Sequence, residues 1–93
     1  MTAIKLVGQA YPAGTYYRLP TEEGRASIYA MEGSWYEAHA LDRDGKEYLV
    51  IWDILDDGVD ESDVCDWSNP RAIVDVDAYK DVTKQVKIDN LNI

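Results

Sequence analysis

Eighteen carboxylates, one histidine and one cysteine set the chemistry open to this 93-residue chain. Seven of the acids, Asp53, Asp56, Asp57, Asp60, Glu61, Asp63 and Asp66, fall within residues 53–66, and no base stands among them. Closely spaced carboxylates suit either a hard cation, which wants several oxygen ligands, or a basic surface on another molecule. The calcium reading can be tested by spacing. With Asp53 at the first position of an EF-hand loop, Asp57 and Gly58 occupy the fifth and sixth as required, but Leu55 and Val64 stand at the third and twelfth. Two ligands, including the bidentate acid, are missing. The segment then reads as a solvated loop or a protein-binding patch.

Covalent chemistry is weaker still. A nucleophile, base and orienting acid could be drawn only from Cys65, His39 and an aspartate. Cys65 lies between Asp63 and Asp66, and nearby negative charge raises a thiol pKa where a reactive cysteine needs it lowered. One cysteine and one histidine do not make a zinc set. Carboxylate pairs of the kind glycosidases use are plentiful by count, yet a chain this short has little room for both a core and a substrate cleft. The sequence therefore predicts no enzyme, no metal site and no cofactor.

The ten aromatic residues are seven Tyr and three Trp with no Phe, so every ring carries a polar handle. Such rings suit half-buried positions and interfaces. Tyr11, Tyr16 and Tyr17 gather around Pro12, Gly14 and Pro20. They form either a loop packed over a sheet or a contact surface.

The elements that must position these residues are strands. From Lys46 to Ile54 the residues Tyr48, Val50, Trp52 and Ile54 share one face and Glu47, Leu49, Ile51 and Asp53 the other. The second face is half apolar, so this strand is expected at the centre of a sheet. Asp44-Gly45 before it signals a tight turn, and Ser34 to Leu41 supplies the other arm of a hairpin, with Tyr36, Ala38 and Ala40 opposite Trp35, Glu37, His39 and Leu41. Arg25 to Met31 alternates in the same way, and the three segments together predict an antiparallel meander. Ala3 to Ala10, ending at Tyr11-Pro12, is a further strand candidate, as are Thr15 to Leu19, Ala72 to Val76 and Val82 to Ile88. Asp60 is placed to cap one helical turn reaching Trp67, stopped by Asn69-Pro70. The expected fold is mainly β, or α+β with that one short helical turn: a single antiparallel sheet or small barrel of about four to six strands.

The run Cys65-Asp66-Trp67-Ser68-Asn69-Pro70, within Glu61 to Pro70, resembles a segment of small uncharacterised acidic proteins of bacterial, phage or mobile-element origin. That resemblance implies no particular activity. Read physically, the run is a corner with Cys65 and Trp67 pointing inward.

Length sets one domain over residues 1–93, with fraying expected after about residue 89. The longest unbroken apolar run, Tyr48 to Trp52, is far short of a membrane span. The opening residues are too short in apolar character for a secretory signal, and a lone cysteine allows no internal disulfide, so a cytoplasmic location is expected. A net charge of −9 opposes direct nucleic-acid binding. Together these features predict a non-enzymatic module that presents Asp53, Asp56, Asp57, Asp60, Glu61, Asp63 and Asp66 to a basic protein surface, such as that of a nucleic-acid-binding protein, in the manner of a phage or mobile-element inhibitor mimicking nucleic acid. The alternatives are a carbohydrate-binding domain using exposed Trp and Tyr, and a structural or oligomerising β protein.

Overall fold

The computed structural model describes residues 1–14, 35–55, 60 and 63–89, together with the backbone of 16–17 and 31–32. Its elements are strands: β1 (Thr2–Leu6), β2 (Tyr11–Ala13), β3 (Tyr16–Tyr17), β4 (Met31–Glu32), β5 (Trp35–Asp42), β6 (Glu47–Asp53), β7 (Ala72–Asp75), β8 (Lys80–Asp81) and β9 (Val86–Ile88). No helix occurs among the described residues.

The β5–β6 hairpin carries the fold. Its register runs from Trp35 opposite Asp53 to Leu41 opposite Glu47. Asp42 builds the turn: one carboxylate oxygen accepts the amides of Asp44 and Lys46, and Gly45 takes the positive φ of 85° that a side chain would resist. As its two apolar faces require, β6 is central, with Tyr48 through Trp52 all buried.

Around it the sheet curls into a half-barrel in the order β8-β7-β6-β5-β1-β9, and β2 shares the flank of β5 with β1. The sheet is mixed, not wholly antiparallel, because β9 runs parallel to β1. Where a meander would seat its third strand beside β5, the described residues place other strands. The far flank of β5 is taken by β1 along Ala40 to Asp42 and by β2 along Trp35 to Glu37. Of the expected strand Arg25 to Met31 only Met31 lies within the described residues, in β4, which pairs with β3. The expected strand Ala3 to Ala10 ends at Leu6, and the Tyr11-Pro12 pair read as its stop is itself strand. Proline is tolerated there for a geometric reason. The carbonyl of His39 accepts the amide of Val7, so the odd-numbered residues of β5 turn their backbone groups toward this flank. Tyr11 and Ala13, opposite Glu37 and Trp35, make the ladder, and the missing N–H of Pro12 faces away from it.

Each sheet face buries its own apolar set. Tyr48, Val50 and Trp52 join Ile4, Ala38, Ala40, Ile73 and Val86 on one side, sealed by Val64, Cys65 and Trp67. Leu49 and Ile51 join Trp35, Ala72 and Val74 on the other, with Ala13 and Tyr79 packed against them.

Candidate functional site

The acidic segment leaves β6 at Asp53 and is drawn closed at its base, where the amide of Leu55 donates to the Val64 carbonyl at 2.8 Å. Within it the amide of Asp63 donates to the Asp60 carbonyl at 2.8 Å. This is one turn, not the expected helical start. Residues 63–67 continue as turns without helix, and the Val64 carbonyl is used by Leu55 across the loop.

Beyond that turn the chain forms an apolar plug. Val64, Cys65 and Trp67 are buried, and the Trp67 ring meets Trp52 edge-on at 5.0 Å and Tyr36 at 5.4 Å. The indole N–H of Trp52 donates to the Trp67 carbonyl at 3.1 Å. Asp66 then accepts both the amide and the side-chain N–H of Asn69, closing the corner before Pro70. The inward placement of Cys65 and Trp67 is as the sequence predicts. Burial pushes the Cys65 thiol pKa up, and the charge of Asp53 adds to it.

The carboxylates stand differently. Asp60, Asp63 and Asp66 are exposed. Asp53 is half-exposed and meets Arg71, whose guanidinium nitrogen lies 3.2 Å away. Asp56, Asp57 and Glu61 lie outside the described residues. Among the described residues no group of three or more His, Cys, Asp or Glu is placed to hold a metal ion, and no helix is long and apolar enough to cross a membrane.

No family model, curated protein or solved structure matches this chain. The arrangement of the side chains therefore carries the functional argument.

A second polar group lies on the face of β5 that bears Glu37 and His39. The Tyr11 hydroxyl donates to Glu37 Oε2 at 2.6 Å and lies 3.1 Å from His39 Nε2, with the two rings stacked at 6.3 Å. His39 Nδ1 lies 2.9 Å from Glu47 Oε2, and the Trp35 indole N–H donates to Glu37 Oε1 at 3.1 Å. The Glu37 carboxylate pushes the Tyr11 pKa up to about 12, because ionising the phenol would forfeit the hydrogen bond and set two negative charges side by side. Sequence alternation puts Glu37 beside His39, but Tyr11 and Glu47 come from other strands and join them only through register. Tyr16 and Tyr17, expected beside Tyr11, fall in β3, where Tyr16 stands opposite Glu32 and Tyr17 opposite Met31.

Proposed function

We propose that the protein is a non-enzymatic binding module that offers its acidic segment to a basic surface of another protein. The observation that carries this reading is the division of labour within 60–67: Val64, Cys65 and Trp67 fix the segment into the core while Asp60, Asp63 and Asp66 remain exposed. Carboxylates on a braced loop are presented without the ordering cost a floppy tail would meet on binding. A dense negative patch speeds encounter with positive partners and selects against negative ones.

The finer form of the proposal is mimicry of a nucleic-acid backbone, with a nuclease or other nucleic-acid-binding protein as partner and a phage or mobile element as source, acting in the cytoplasm. It rests on size, on the net charge of −9 and on the clustering of acids in 53–66. The carbohydrate alternative calls for exposed stacked rings, and here Trp35, Trp52 and Trp67 are all buried.

The test is capture from a cell lysate on the immobilised protein. The proposal expects a basic, nucleic-acid-binding protein to be retained at low salt, released by about half-molar salt, and displaced by duplex DNA. Retention indifferent to both salt and DNA would remove the acidic face from the mechanism.

A further inference from the structure

The four side chains Tyr11, Glu37, His39 and Glu47 share hydrogen bonds that their ordinary protonation at neutral pH cannot all satisfy. Both oxygens of Glu37 act as acceptors, one from the Trp35 indole and one from the Tyr11 hydroxyl. The single proton of Tyr11 is thereby committed to Glu37, and its oxygen can meet His39 Nε2 only as an acceptor. The Glu47 carboxylate likewise meets His39 Nδ1 as an acceptor. The three bonds Tyr11–Glu37, His39–Tyr11 and His39–Glu47 need three protons, whereas a neutral imidazole and one phenol bring two. The third proton belongs on the imidazole, which is a stronger base than a carboxylate. A neutral imidazole has one N–H, and the Glu47 carboxylate holds it on Nδ1, because a bond to a charged acceptor outweighs one to a phenol oxygen. The Tyr11–His39 contact then sets lone pair against lone pair, or Tyr11 turns its proton to His39 and abandons Glu37.

We infer that this cluster is a proton-operated latch fastening β2 to β5: taking up one proton closes all three bonds, and losing it opens one. The strand it holds has little else of its own kind. Only three residues of β2 pair with β5, and one of them is proline. Tyr11 is the side chain of β2 that bonds across to both Glu37 and His39.

Among the described residues, the titratable groups facing His39 are Tyr11 from β2, Glu37 from its own strand and Glu47 from β6. Lys5 of β1 stands opposite Leu41, one step further along the same face. The raised pKa of Tyr11 keeps the phenol protonated throughout the range in which histidine side chains change charge, about pH 5 to 8.

Amide hydrogen exchange across this strand pair tests the latch. The protection factors of Tyr11, Ala13, Trp35 and Glu37 should be about fivefold higher at about pH 5.5 than at about pH 8, the worth of one ordinary hydrogen bond. Those of Leu49 and Val74, which pair in the β6–β7 ladder, should not change. His39→Gln should abolish the difference, and so should Tyr11→Phe, which leaves the His39–Glu47 pair in place. The second variant carries the test should the first fail to fold. Equal protection of β2 in the wild type at both pH values, or a pH dependence that survives in either folded variant, would overturn the inference.

Discussion

The indole N–H of Trp52 donates to the backbone carbonyl of Trp67 across 3.1 Å, and the two rings meet edge-on at 5.0 Å. A central strand is thus tied to the corner that ends the acidic segment. The support of the proposed binding face therefore lies inside the core, on the far side of the loop from its carboxylates.

Replacing Trp52 with Phe keeps most of the apolar contact and removes the N–H that the Trp67 carbonyl accepts. The expected loss is about 1 to 3 kcal/mol, read as a lower midpoint in urea denaturation. Exchange at the Leu55 amide, which pins the base of the loop, should rise by more than the global change explains. A variant as stable as the wild type would mean that the Trp67 carbonyl does not depend on this bond.

Gly14 gives a sharper test of packing. Its φ is 105°, and a methyl group there would overlap ring carbons Cζ3, Cε3 and Cη2 of the buried Trp35. Backbone strain and overpacking act together, so Gly14→Ala should cost about 3 kcal/mol or more, measured by thermal or chemical unfolding. A near-neutral result would contradict the close approach of β2 to the Trp35 ring.

Much of this arrangement was legible in the sequence. Period-2 alternation placed the β5–β6 hairpin and its turn, and the two apolar faces of 47–53 marked β6 as central, because burial on both sides removes the polar alternation an outer strand keeps. Cys65 and Trp67 read inward as the apolar members of a corner closed by Pro70. Partners distant in the chain were not legible. Nothing in the run Thr2 to Leu6 says that it inserts between β5 and β9, or that the β9 pairing is parallel. Pro12 looked like the end of a strand because a proline excludes only the ladder position that needs its N–H, and which positions those are depends on register. The His39 cluster was hidden in the same way: Glu37 and His39 are neighbours on one strand, but Tyr11 and Glu47 arrive from two others. The single helical turn failed because Asp60 is as good a cap for an isolated turn as for a helix.

Asp75 makes a pH prediction. Buried at the end of β7, its carboxylate meets the Lys46 ammonium at 2.7 Å and accepts the amides of Asp77 and Ala78. Burial alone would raise its pKa, but Lys46 and the two amides outweigh it and hold the value below the usual carboxylate range. A group depressed in the folded state contributes stability above its unfolded pKa, about 3.9, and loses it as pH falls through the lower folded value. Asp75→Ala should therefore be destabilised near neutral pH, by about 2 kcal/mol from the lost hydrogen bonds to a charged group. The gap from the wild type should narrow below about pH 4. A gap constant down to about pH 2 would show that the charge of Asp75 contributes nothing.

The central claim is that the acids of 53–66 carry binding, and one comparison bears on it most directly. In the variant Asp56→Asn, Asp57→Asn, Asp60→Asn, Glu61→Gln the side chains keep their size and four charges are removed, while Asp53 and Asp66, which meet Arg71 and Asn69, are left in place. The measurement is the association rate of wild type and variant with the protein retained in the capture experiment, at low and at physiological salt. The account predicts association slower by about tenfold or more in the variant and a wild-type rate that falls as salt rises, with circular dichroism unchanged. Equal association rates for a folded variant and the wild type would contradict it.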